Sequence, residues 1–282
     1  MDSTTLTSKK SLITGSIILG ILILLAFVPL YAPGYTAILF SSILMYVVLA
    51  VSWLVFSGPT GYISLAPAAF FGVGIYASAI IGKALPFPIV VAIGGLASFC
   101  LALLVGALTL RLRGIYFAIF TFGLVMLMAH SMLFYELHVT GTRGRFVMVM
   151  SYNTVYYYML GIFVLLLLTA YLIKRSRFGL ALYSIGQEED AAAHTGVNVT
   201  MVKVLTFAIS AFFMGAAGAV MATKWTYIDP FIAFNPFYSF MPVVMAIFGA
   251  ILVVAILYMP DGLVGLIQKL WKQISRRKHA VT

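Results

Sequence analysis

The sequence predicts an all-α polytopic membrane protein of about eight transmembrane helices, with both termini on the cytoplasmic side. Three observations carry this. Of 282 residues, 63% are hydrophobic and 9% are charged, against roughly a quarter charged in a soluble domain. No globular interior hides that much apolar surface, so the bilayer is the natural solvent. The apolar runs are long and continuous, unlike the alternating segments of about ten residues that build a barrel. The basic residues are scattered between the runs and form no face. The net charge of +10 therefore reads as membrane topology and not as nucleic-acid binding.

Runs of about 20 apolar residues suffice to span. They fall at about 12–31, 34–56, 62–82, 87–110, 114–135, 152–173, 204–222 and 238–258. The first follows Lys9 and Lys10. It is long and has no small-residue cleavage site before polar sequence, so it reads as a span and not a signal peptide. The chain then divides into a tail at 1–11, a membrane domain at 12–258 and a basic tail at 259–282. The membrane domain includes a polar block at 174–203.

Eight crossings put both termini on one side. That side carries Lys9, Lys10, Arg111, Arg113, Lys174, Arg175, Arg177, Lys203, Lys269, Lys272, Arg276, Arg277 and Lys278. The other carries Lys83, Arg143, Arg145 and Lys224. Thirteen cations against four makes the first side cytoplasmic.

The chemistry of single residues excludes more than it assigns. Cys100 is the sole cysteine, so neither a disulfide nor a thiolate metal site can form. The only Gly-Lys pair, Gly82-Lys83, lacks the rest of a P-loop. "GVGIYA" from Gly72 lies inside an apolar run without a preceding strand and reads as helix packing. The seven carboxylates, Asp2, Glu136, Glu188, Glu189, Asp190, Asp229 and Asp261, fall in tails, loops or span ends. That argues against a proton- or sodium-driven carrier. His130 reads as a packing residue. Ala211, Gly215 and Ala219, spaced by four, mark a face where helices approach closely.

"SGPTGYISLAPAAFFGVG" from Ser57 is a poor helix until Pro67, which suits a first helical turn. From Pro67 to Gly82 the chain rises only ~24 Å, against ~30 Å of hydrocarbon. Two readings stand side by side. The helix starts below the surface and turns its N-terminal amides toward an anionic group, or a plain turn leads into a tilted span. "TGTRG" from Thr140 is a polar outer loop whose Arg143 can attract a carboxylate.

The stretch from Lys174 to Lys203 is the longest polar segment and faces the cytoplasm. Three of the seven acids, Glu188, Glu189 and Asp190, stand together in it. Glu188 to Thr195 suits a short helix with its acids in the first turn and Gly196 in the position of a C-terminal glycine. A docking element and a merely solvated loop are equally good readings of these residues.

"LRGIYFAIFTFG" (112–123), "TGTRG", the block from Arg175 to Ala222 and "MPDGLVGL" (259–266) occur in that order. Together they resemble LivM-like permease subunits of ABC importers for branched-chain amino acids and related solutes, including urea and amides. The resemblance covers most of the chain from about residue 35. It implies that the block holds a coupling helix docking on a separate ATPase, formed by Gly186, Gln187, Glu188, Glu189, Asp190, Ala191, Ala192 and Gly196. The acids would face basic residues of the ATPase, and Ala191, Ala192 and Gly196 would allow close contact. It further implies a second, related permease subunit, two ATPase subunits and an external solute-binding protein in a bacterial-type inner membrane. ATP and magnesium would be used by the ATPase, with no cofactor and no covalent chemistry on this chain.

Two places depart from the family pattern. Ser64-Leu65-Ala66-Pro67 stands where the family usually has Ser-Leu-Gly-His. Phe248-Gly249-Ala250 runs straight into "ILVVAILYMP", where the family has a glycine-rich stretch and a further helix. Candidates to line a solute path are Ser64, the backbone near Ala66, Tyr116, Thr121, and the loop of Thr140, Gly141 and Thr142. The expectation is a permease for branched-chain amino acids. The alternatives are a urea or short-chain amide permease, a self-contained channel without an ATPase, and a scaffold.

Overall fold

A computed structural model describes residues 20, 22–27, 29, 34–110, 112 and 114–258. The expected span at 12–31 lies largely outside the described residues, and both tails lie wholly outside them. The elements are α1 (Gly34–Thr60), α2 (Pro67–Ile81), α3 (Phe87–Thr109), α4 (Ile115–Tyr135), a π-helical turn (Glu136–Thr140) and β1 (Arg145–Phe146). There follow α5 (Tyr152–Arg175), α6 (Arg177–Gln187), α7 (Glu189–His194), α8 (Val199–Ala222), β2 (Tyr227–Ile228), α9 (Pro230–Ala233) and α10 (Phe237–Tyr258).

Six stretches among the described residues are long and apolar enough to cross a bilayer: Gly34–Thr60, Phe87–Thr109, Ile115–Thr140, Tyr152–Arg175, Val199–Ala222 and Pro230–Ile256. Helix α2 differs from the full span expected at 62–82. Residues 61–66 are not helical, and the helix begins at Pro67 and runs for 15 residues, or ~22 Å. Proline fits at this first position because it has no N–H to leave unpaired. The apolar run expected at 114–135 extends beyond that end, as the π-helical turn carries it to Thr140.

Helix α8 is the axis of the bundle. From Phe213 to Ala222 every residue is buried, and its main neighbours are α3 and α2. Small side chains explain the close approach. A Cβ added at Gly74 of α2 would overlap the carbonyl of Gly215. One added at Gly215 would overlap the Ser98 side chain of α3. The Ser98 hydroxyl donates to the Phe70 carbonyl at 2.9 Å, joining α3 to α2. Beside this close approach Phe56, Phe117, Phe70 and Phe207 stack at tilted or edge-on angles. Such pairs each add ~0.5–1.5 kcal/mol beyond the area they bury. Helix α5 packs on α1.

The chain up to Pro242 forms one compact unit and the chain from Val243 a second. In the second, α10 continues to Tyr258 with Ile247, Phe248, Ile251, Leu252, Val253, Val254 and Ile256 exposed. An apolar exposed helix of this kind suits lipid or a membrane partner.

Candidate functional site

The block that carries the acids is built from two short helices. Ser176 caps α6, its hydroxyl accepting from the Gly179 amide at 3.2 Å. Glu188 is extended and forms the N-cap of α7, with Glu189 and Asp190 in the first turn. Helix α7 closes in a Schellman arrangement. The Gly196 amide donates to Ala193 O at 3.0 Å and the Val197 amide to Ala192 O at 3.3 Å. Gly196 has φ +85°, a conformation glycine adopts without strain.

The block is fastened to the bundle. Leu182, Ile185 and Ala192 are buried. A Cβ at Gly186 would overlap the Pro59 carbonyl at the end of α1, so this glycine serves close approach. Lys203 of α8 is 2% exposed. Its ammonium donates to Glu189 Oε1 at 2.8 Å, to the Tyr62 hydroxyl at 3.2 Å and to the Leu110 carbonyl at 3.3 Å. Three acceptors match its three N–H donors. The cation also lies 4.5 Å from the centre of the Tyr62 ring. One side chain thereby ties α7, α8, the end of α3 and the 61–66 segment.

The expectation that all three acids and all three small residues face outward is corrected in part. Glu189 turns inward to Lys203, and Ala192 is buried. Gln187, Glu188, Asp190, Ala191 and Gly196 are exposed. Beneath Glu188, Glu189 and Asp190 lies a cleft of about 700 Å³ against Thr60, Tyr62, Ile63 and Ile115.

The path candidates separate. Ser64, Ala66 and Thr121 meet at the start of α2. The Ser64 carbonyl accepts from Trp53 Nε1 at 2.8 Å, and the Leu65 amide donates to Thr121 Oγ1 at 2.9 Å. The amides at the start of α2 are occupied: Ala68 N–H donates to Ser239 Oγ at 3.0 Å, and those of Ala69 and Phe70 to Ala66 O. The short helix begins at Pro67, and the amides that either reading leaves at its start are taken up within the fold. Tyr116 is 69% exposed and points away from this group. Thr140, Gly141 and Thr142 are exposed and belong to a separate cluster.

That cluster centres on Glu136, placed by sequence at a span end and found fully buried. It accepts from the Tyr76 hydroxyl at 3.1 Å and the Gly144 amide at 2.7 Å, with Arg145 at 3.9 Å. Arg143 already holds a carboxylate, that of Asp229, at 2.5 Å. The hydrogen bond and charge of Asp229 hold the Arg143 guanidinium above its ordinary pKa. Asp229 also caps α9 through the Phe231 amide at 2.8 Å. Thr140 Oγ1 accepts from Arg145 at 3.1 Å, and β1 pairs antiparallel with β2. Sequence reasoning missed the roles of Lys203, Glu136 and Ser239. For Lys203 a signal exists, a lone cation near the start of a small-residue helix and 14 positions after an acid.

A family profile described as "Branched-chain amino acid transport system / permease component" matches residues 35–274. Comparison with curated proteins and with solved structures finds no match. The profile spans the bundle, the seated block and the Glu136 cluster alike, and the chain belongs to the permease components of branched-chain amino acid transport systems.

Proposed function

We propose that this chain is the membrane permease subunit of an ATP-driven importer for branched-chain amino acids, with α7 and the end of α6 from Gly186 as the coupling element. The family makes it a multi-pass membrane component of a transport system with other subunits, and not a catalytic enzyme. The finer reading has the 174–203 block in the cytoplasm of a bacterial-type inner membrane. It includes a second permease subunit, two ATPase subunits that bind ATP and magnesium, and an external solute-binding protein.

The observation that carries this reading is the ion pair of Glu189 with Lys203. An exposed acidic helix joined rigidly to the most buried transmembrane helix is the linkage that a force applied from outside requires. A push on α7 is transmitted through Lys203 to Tyr62 and Leu110, and through α8 to α2 and α3. The segment before α2, which carries Ser64 and is bonded to Thr121 of α4, then moves relative to the rest and opens the path. Hydroxyl and backbone groups suit a zwitterion, and the apolar surroundings favour an aliphatic side chain over urea or a short amide.

The test is solute-stimulated ATP hydrolysis by the reconstituted complex. Glu188→Ala and Ala191→Trp alter the exposed face of α7 and leave the Lys203 pair in place. A loss of stimulation supports coupling here, whereas undiminished stimulation contradicts it. Leucine, urea and acetamide compared as cargo separate the solute classes.

A further inference from the structure

We propose that the groove between α1, α5 and α6 is a binding site for an anionic phospholipid of the cytoplasmic leaflet. The groove has a volume of about 810 Å³. Its walls include Val51, Leu54 and Ile173, and its rim carries Lys174, Arg175 and Arg177. At ~1.5 Å per residue, Val51 lies ~13 Å below the end of α1, at the depth of acyl chains. The three cations sit at the ends of α5 and α6, at headgroup height. All three are exposed, and none forms an ion pair with a carboxylate among the described residues. Arg175 is stacked on Tyr171 at 5.0 Å, which holds one guanidinium ready for a phosphodiester. On α6, Leu180 and Tyr183 are 69% and 62% exposed, as befits a short helix lying in the interface.

Charge and depth together select the occupant. An ATPase does not reach into hydrocarbon. A second permease follows the same positive-inside bias, so its cytoplasmic edge would repel this rim. Anionic lipids attract such clusters and supply both the apolar tails and the negative head.

This inference rests on the cytoplasmic placement of the block proposed above. The experiment is native mass spectrometry and thermal unfolding of the full assembled complex with dioleoyl-phosphatidylglycerol, dioleoyl-phosphatidylcholine or free glycerol phosphate added. Phosphatidylglycerol should be retained and stabilising, and the other two should not. Lys174→Gln, Arg175→Gln and Arg177→Gln together should weaken retention at least ~tenfold. The charge-conserving set Lys174→Arg, Arg175→Lys and Arg177→Lys should preserve it, which separates lost charge from lost folding. Equal retention of phosphatidylcholine, retention unaffected by the glutamine set, or competition by glycerol phosphate alone would overturn the site. So would a Leu54→Cys probe that cross-links to protein instead of lipid. Lipid retention with no solute-stimulated ATPase activity would sink the coupling reading and leave this one standing.

Discussion

Glu189 and Lys203 meet at 2.8 Å where an acidic surface helix joins the bundle's central helix. Their side chains are 18% and 3% exposed, so neither is free to seek a partner elsewhere without breaking the other's contacts. The pair makes the block part of the membrane domain.

Breaking it from one side should be costly. Lys203→Met leaves Glu189, Tyr62 and the Leu110 carbonyl without their cation, and Glu189→Gln leaves a buried ammonium without its anion. Loss of one member of a buried pair costs ~3–5 kcal/mol, whereas replacing both with apolar groups is often near neutral. Thermal unfolding in detergent should show both single variants less stable than a Lys203→Met/Glu189→Leu double variant. Additive losses would contradict a coupled pair.

The helical glycines separate into two kinds. At Gly74 a Cβ would collide with backbone, while nothing lies within 4 Å of one added at Gly161. Gly74→Val should cost ~1–3 kcal/mol or more through overpacking and reduce the yield of monodisperse protein. Gly161→Ala should be neutral or stabilising by ~0.5–1 kcal/mol, since it only improves helix propensity. Size-exclusion profiles and unfolding temperatures compare the two directly.

At the opposite cluster, Glu136→Ala strands the Tyr76 hydroxyl and the Gly144 amide. Each buried donor left unpaired costs ~1–3 kcal/mol, and the 140–144 loop loses its anchor. Solute uptake should fall together with thermal stability. Arg143→Gln, which alters a half-exposed side chain, should be far milder. Similar losses in both variants would argue against Glu136 as the organising group.

Asp229→Asn should retain more stability than Asp229→Ala. Asparagine keeps an oxygen for the Phe231 amide, and caps of this kind are worth ~1 kcal/mol. Identical unfolding temperatures would show the cap to be idle.

Much of this was legible in the sequence. Hydrophobic run length located α1, α3, α4, α5, α8 and α10 within a few residues, because crossing the bilayer demands length before detail. Pro67 marked the start of α2, and Gly196 the end of α7, because each answers a local backbone requirement. Partnerships between distant residues were not legible. Lys203 reads as one more cytoplasmic cation until Tyr62, Leu110 and Glu189 converge on it. Glu136 reads as the end of a span until the chain continues as a π-helical turn and buries it. Ser239 sits in an apolar run, and only the fold brings it to the amide of Ala68. Tyr116 is a path candidate for its hydroxyl, and only the fold shows its side chain to be exposed.

The central claim is that an ATP-hydrolysing subunit docks on the exposed face of α7. It is tested most directly by site-specific cross-linking. In a Cys100→Ser background, Glu188→Cys or Ala191→Cys in the native complex should cross-link to an ATPase subunit, and the contact should change with bound nucleotide. Cross-links to lipid, to the second permease subunit or to nothing, in a complex that still transports, would contradict the account.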